Sequence, residues 1–230
     1  MGIEQLTVEY IDHCGSDLSV ANSARVSFDT KTEMDTSDVW GPPTLKDKDA
    51  RLIKYLADHE HYSPFNHTFV TFRCHAPIFV MGQLKKHEYM PWNEVSRRYT
   101  DDEPTFYEPD VWRGRSADKK QGSEGTVDLP EYAHIYSGWK GYEGKGNYYS
   151  ISLHVYKDLL KHGVAPEMAR MVLPQAMMSS WIWSGTVKAV AKMCKLRCTS
   201  DTQYESRVIA DKISTHMHKL FPVSWGALME

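Results

Sequence analysis

The chain has 230 residues, a formal net charge of -3 and an apolar fraction of 41%. That length fits one domain, or one domain with a large insertion, and the apolar content supplies a core. The charge gives no general attraction to nucleic acid or to an anionic membrane, so an anion site must be built locally. No basic n-region followed by an apolar run opens the chain, so no signal peptide is expected. The longest apolar runs, such as Ala76–Met81, are far too short to span a bilayer. The four cysteines, Cys14, Cys74, Cys194 and Cys198, form no C-x-x-C pair and read as reduced thiols of a cytoplasmic protein. Cys194 and Cys198 have the spacing that shares one face of a helix.

Leu6–Ile11 reads as a short strand. A helix follows, opened by Asp17, whose carboxylate can cap the free N–H groups of a first turn, and it ends across Ala24–Phe28. Thr30–Lys46, with Gly41-Pro42-Pro43, is a loop. Asp47–His59 places Leu52, Ile53, Tyr55 and Leu56 on one side of an amphipathic helix. His61–His67 is a turn. His67–His75 alternates, with Val70, Phe72 and Cys74 on one face and Thr71 and Arg73 on the other, which is strand periodicity. Pro77 fits the first turn of a helix running to about Lys86. Residues 101–146 are polar and glycine-rich, with Phe106-Tyr107 and Trp112 as isolated anchors, and Lys119–Gly125 is expected to be the least ordered part. Tyr148–Lys161 is a helix stopped by His162-Gly163. Pro166–Leu173 is a second helix. Met177–Leu196 is expected to be one long helix with Trp181, Trp183, Val187, Val190 and Ala191 as its buried stripe. Asp201–Leu220 is another. The pattern is α+β, helix-rich with a few early strands and no internal repeat.

The stretch Gln83–Tyr99 concentrates chemistry. Lys85, Lys86, Arg97 and Arg98 can grip a phosphate. Gln83, Asn93, Glu94 and Ser96 suit the edge of a nucleobase, and His87, Tyr89 and Trp92 offer flat surfaces. Arginine suits phosphate best because its planar fork makes two parallel bonds. Arg170 and Arg197 are further candidates, although each has a plain structural reading. Arg170 fits a helix edge with its stem packed, and Arg197 fits a cation satisfying C-terminal carbonyls. His59, His61, His67, His75 and His87 raise a zinc site as an alternative. No cysteine or carboxylate sits at familiar ligand spacing, so no metal is expected.

The run Asn93, Glu94, Ser96, Arg98, Tyr99 (N-E-x-S-x-R-Y) resembles the signature of the flavin-dependent thymidylate synthases. So do Ala24–Ser27, His61–His67, Ala76–Val80 before Gln83, Ala169–Pro174 (A-R-M-V-L-P), and Leu196-Arg197 through Gln203 and Glu205. Several motifs in register from Ala21 to Glu205 make the resemblance specific. It implies a fold of the thymidylate synthase-complementing type over residues 1–230, with a small, mostly antiparallel sheet and the polar insertion around 101–146. The implied reaction is reductive methylation of dUMP to dTMP, with methylenetetrahydrofolate as carbon donor, FAD as hydride carrier and NADPH as reductant. Gln83, Lys86, Glu94, Val95, Ser96, Arg97, Arg98, Arg170 and Arg197 would bind dUMP, with Arg197 and Ser96 catalytic. Arg197 would stabilise the charge as the pyrimidine N3 ionises. Ser27, His61, Ser63, Asn66, Lys86, His87, Glu88, Asn93, Glu94, Thr186, Lys188 and Lys192 would hold the flavin. The family works as a tetramer with sites between subunits. The chain departs from the pattern where Lys86-His87-Glu88 stands for Arg-His-Arg. Glu88 reverses a charge and should repel an anion or pair with a nearby cation. Two other readings stay open: an enzyme of the same fold with another pyrimidine-nucleotide product, and a non-catalytic nucleotide-binding or metal-binding protein that has lost flavin.

Overall fold

The computed structural model describes residues 5–38, 41–100, 102–118, 122–129 and 148–230. Its organising element is strand β2 (Phe69–Pro77), whose alternation buries Val70, Phe72, Cys74 and Ala76 and leaves Arg73 exposed. Strand β1 (Thr7–Cys14) pairs with β2 antiparallel and runs longer than Leu6–Ile11. A register shift between Tyr10 and Asp12 breaks the alternation, and Ile11 is left 45% exposed.

The expected long helix Met177–Leu196 is corrected by the structure. Met178–Gly185 is strand β6, and only Val187–Arg197 is helical, as α6. Trp181 and Trp183 are two residues apart and so share a face of a strand, not of a helix. Both are buried, while Ile182 between them is 39% exposed. Thr186 divides the two elements: its hydroxyl accepts from the Ala189 N–H at 3.2 Å and caps α6. β6 pairs antiparallel with β2 on one side and with the short β3 (Trp92–Glu94) on the other, giving a four-stranded sheet in the order β1-β2-β6-β3.

Helices cover one face of the sheet. α1 (Asp17–Arg25) and α2 (Asp47–Asp58) lie near the N-terminus, and α6, α7 (Tyr204–Leu220) and α8 (Pro222–Met229) complete the layer. Phe65, Phe72, Trp181, Trp183, Ile209 and Ile213 share this core. In α2, Ile53 and Leu56 are buried as expected, but Tyr55 is 51% exposed and stacks on His59. Asp17 does not act where the sequence suggested. It is the first residue of α1, and its carboxylate accepts from the backbone N–H groups of Val223 and Ser224 at 2.9 Å, capping α8. Pro222 in its first turn was the sequence signal for α8.

Short α3 (Ile78–Leu84) leaves β2, with Pro77 as its N-cap rather than inside its first turn. Tyr89 then takes a left-handed backbone, φ 59°, turning the chain back toward β3. Within the polar region, Gly122–Gly125 is not loop throughout: β4 (Arg113–Arg115) and β5 (Ser123–Thr126) form an antiparallel hairpin. Lys119–Gln121 and most of the remaining insertion lie outside the described residues. α4 (Tyr148–Lys161) has the expected bounds. α5 (Pro166–Ala169) passes at once into a 3-10 turn, Arg170–Val172. Among the described residues, no helix is long and apolar enough to cross a membrane.

Candidate active site

The end of α6 brings Arg197 against the chain leaving α3. Its Nε donates to His87 Nε2 at 3.0 Å, and Nη2 donates to the Gln83 carbonyl oxygen at 3.4 Å. Among the described residues, none of its hydrogen bonds goes to a carbonyl of its own helix, so the plain reading of a C-terminal counter-cation does not apply. Accepting from Arg197 requires a lone pair on His87 Nε2. Burial, then Arg197 and Lys192, lower the His87 pKa to about 4, so the ring stays neutral near pH 7.

Gln83 belongs to a second set of bonds. Its side-chain amide donates to Gln203 Oε1, and the Ser206 hydroxyl donates to Gln83 Oε1 at 3.1 Å. Gln203 Nε2 donates to Glu205 Oε2 at 3.2 Å. Glu205 is buried and also accepts from Tyr107 Oη at 3.2 Å and from Arg113. Arg113 lies over the Tyr204 ring, 4.6 Å from its centroid, and donates to Ser123 Oγ at 3.1 Å, which fastens the β4–β5 hairpin here. A cavity of about 400 Å³ adjoins this network, lined by Phe79, Tyr107, Trp112, Arg113, Tyr149 and Glu205 among others.

β3 carries the next group. Trp92 stacks on Trp181, centroids 4.6 Å apart, which anchors the strand. Glu94 Oε2 then accepts from Trp92 Nε1 at 2.7 Å and Lys85 Nζ at 2.9 Å. Burial opposes the Glu94 charge, but these two bonds and the charges of Lys85 and Arg170 hold its carboxyl below the usual range. That coupling sets Arg170 and Glu94 in one electrostatic neighbourhood. Arg170 itself is exposed, with Nε on the Glu167 carbonyl at 3.2 Å. Val95 extends the β3 pairing by donating to the Ser180 carbonyl at 2.9 Å. Ser96 Oγ accepts from the backbone N–H and the Nε of Arg98, each at 3.3 Å. Arg98 lies over the Tyr99 ring, and Arg97 reaches the Asp102 carbonyl. Arg98 is therefore tied to Ser96 and Arg97 to the Asp102 carbonyl, and among the described residues neither shares a hydrogen bond with Arg197. Asn93 and Lys86 are exposed.

Apart from Lys86, His87, Asn93 and Glu94, placed above, the residues expected on the flavin side fall into two neighbourhoods. Ser27, His61 and Ser63 line a cavity of about 630 Å³ with Phe28, Tyr55 and Tyr62. Lys188 lies over Tyr62, 3.3 Å from its ring centroid, and Thr186 Oγ1 donates to Asn66 Oδ1 at 2.8 Å, so α6 borders this cavity. Burial, then Lys195, lower the Lys188 pKa. The second neighbourhood is Glu88, which pairs with Lys192 at 3.1 Å; its reversed charge has found a cation on α6. Among the described residues, no group of three or more His, Cys, Asp or Glu could hold a metal ion.

Sequence reasoning gave no role to Tyr107, Arg113, Glu205 or Ser206. Phe106-Tyr107 stood out only as anchors, and Glu205 only as the end of a motif. No local pattern pairs Arg113 with a carboxylate on α7; the hairpin that joins them is tertiary.

The family model of the thymidylate synthase complementing proteins matches residues 9–223. The flavin-dependent thymidylate synthase of Thermus thermophilus is 34% identical over 223 residues, covering 97% of this chain and 75% of that protein. That of Thermosipho melanesiensis is 33% identical over 220 residues, covering 96% and 89%. Among solved structures, a UMP/dUMP methylase, PolB from Streptomyces cacaoi, bound with 5-Br UMP, superposes with a TM-score of 0.77 at 29% identity, covering 97% of this chain and 93% of that one. The same enzyme bound with 5-Br dUMP gives 0.73 at 28% identity, covering 97% and 94%. The fold and this arrangement of residues define an enzyme of the thymidylate synthase-complementing class. The chain belongs to the family of the flavin-dependent thymidylate synthases.

Proposed function

We propose that the protein methylates dUMP at C5 to give dTMP, taking the carbon from methylenetetrahydrofolate, with FAD as hydride carrier and NADPH as reductant. The observation that carries this reading is the fixed guanidinium of Arg197. His87 and Gln83 hold Nε and Nη2, and the Nη1 edge makes no hydrogen bond among the described residues. A cation held in place beside a pyrimidine favours ionisation at N3, and the resulting charge makes C5 a nucleophile. No reorganisation of the arginine is needed as that charge grows. Ser96 orders Arg98, so the pair forms a preset anion grip for the nucleotide phosphate. Arg97 and Arg170 would add positive charge, and Gln83, Lys86, Glu94 and Val95 would contact the rest of the nucleotide.

The donors around the 630 Å³ cavity suit a flavin: hydroxyls of Ser27 and Ser63, the His61 imidazole, and aromatic faces of Tyr55, Tyr62 and Phe28. Lys188 and Lys192 lie on the bordering helix as cations for its phosphates, with Asn66, His87, Asn93 and Thr186 as further polar contacts. Bound there, the flavin supplies hydride. We read the chain as one domain with its insertion around 101–146, acting in the cytoplasm as a homotetramer whose sites lie between subunits. All four cysteines are free thiols, which fits a reducing compartment.

The test is product analysis. Full-length protein with FAD, NADPH, methylenetetrahydrofolate and dUMP should yield dTMP by mass spectrometry. A 5-hydroxymethyl product, or no product from a folded protein carrying both ligands, would refute the reading. UMP belongs in the same series, because the similar solved methylase is bound with analogues of both nucleotides.

A further inference from the structure

We propose that Glu205 is a positioning residue that fixes the side-chain amide of Gln83 in one orientation, and so sets the donor–acceptor pattern shown to a pyrimidine base. The inference rests on the nucleotide reading above. It follows from hydrogen-bond roles. A carboxylate paired with a guanidinium can only accept. Glu205 Oε2 lies 3.2 Å from Gln203, so the Gln203 group facing it is the NH2. The Gln203 carbonyl must then face Gln83, and a carbonyl only accepts, so Gln83 turns its own NH2 toward it. Ser206 closes the chain by donating its hydroxyl to Gln83 Oε1 at 3.1 Å. Flipping either amide would set NH2 against NH2 or carbonyl against carbonyl. Glu205 and Ser206 are 2% and 0% exposed, so water has little access to repair such a clash.

Gln83 is left with one N–H and one oxygen lone pair to offer. Its backbone carbonyl also accepts from Arg197, so the residue that carries the locked amide also touches the guanidinium. Before N3 ionises, a uracil edge presents a carbonyl acceptor next to a ring N–H donor. A cytosine edge presents an amino donor next to a ring nitrogen acceptor, the reverse order. With the base held in one place, a locked amide matches only one of these, whereas an amide free to flip matches both.

The experiment measures dissociation constants of full-length wild type, Glu205→Gln and Ser206→Ala for dUMP and dCMP by calorimetry. A glutamine at 205 both donates and accepts, so it releases the chain of amides. The dUMP-over-dCMP preference should fall about tenfold in Glu205→Gln, the size of one neutral hydrogen bond. It should fall by a smaller factor in Ser206→Ala, which removes a single hydroxyl. Equal losses for both nucleotides, or an unchanged ratio, would show a structural prop and overturn the proposal. If both variants fail to fold, the wild type decides. Of its two Gln83 side-chain amide protons, the one donated to Gln203 should exchange slowly with solvent by NMR, and rapid exchange of both would overturn the locking. A wild type that binds neither nucleotide would count against the nucleotide reading, and the exchange measurement would still judge the amide chain by itself.

Discussion

Replacing Glu88 by arginine probes the one reversed charge in the motif. Glu88 and Lys192 form an ion pair at 3.1 Å, with side chains 68% and 64% exposed. An exposed pair of this kind contributes about 0–1 kcal/mol, and the like-charge contact with Lys192 that replaces it costs a similar amount, so Glu88→Arg should destabilise folding by no more than about 2 kcal/mol. Its effect on an anionic cofactor should be larger. Unit charges about 6 Å apart in water interact by roughly 0.7 kcal/mol, and changing -1 to +1 doubles that. At low salt FAD should therefore bind about tenfold tighter, falling to about threefold at physiological salt, where the Debye length is about 8 Å. Titrating FAD by its fluorescence at both salt concentrations measures this, with a thermal melt as the folding control. An unchanged or weaker FAD affinity at low salt, in a variant that melts normally, would show that the Glu88–Lys192 pair does not face the cofactor.

Three further outcomes follow from named contacts. Arg197→Ala should abolish turnover while the protein still folds, because the side chain sits at a helix end outside the main core; steady-state assay and circular dichroism separate the two, and retained turnover would remove Arg197 from the mechanism. The depressed His87 pKa means the folded state refuses a proton that the unfolded chain accepts near 6.5. Its contribution to stability is present above that pH and is lost as pH falls toward about 4. Denaturant melts of His87→Gln should therefore lose less stability than wild type across that window, and parallel curves would contradict the assignment. Asp17→Ala should destabilise by about 1–3 kcal/mol, since one buried and one part-buried backbone donor of α8 lose their acceptor; a loss below about 0.5 kcal/mol in urea titration would mean water replaces the carboxylate.

Much of the fold was readable where one period ran unbroken. Tyr148–Lys161 keeps helical spacing from end to end and has a glycine stop, and Val70, Phe72 and Cys74 mark β2 by alternation. The reading of Met177–Leu196 failed because two periods were joined. Trp181 and Trp183 follow strand spacing, and Val187, Val190 and Ala191 follow helix spacing. Ser184-Gly185-Thr186 between them carried the cap signal that divides the elements. In the candidate site, the motif residues pointed to Arg197, Gln83 and Glu94, but not to what orients them. His87 as an acceptor for Arg197, and Glu205 with Arg113 and Tyr107, depend on contacts across more than ninety residues of chain, which local pattern does not encode. Asp17 shows the same limit: its residue type announced a cap, and only the tertiary fold decided which helix it caps.

The proposed reaction requires nucleotide and flavin to meet at one site. The visible spectrum of the purified protein tests it most directly, recorded before and after FAD, then with NADPH in the presence and absence of dUMP. Bound-flavin absorbance that bleaches with NADPH, at a rate that changes when dUMP is added, is the expected result. Absence of any bound-flavin signal after reconstitution, in a protein that folds, would contradict the claim and leave a nucleotide-binding protein without redox chemistry.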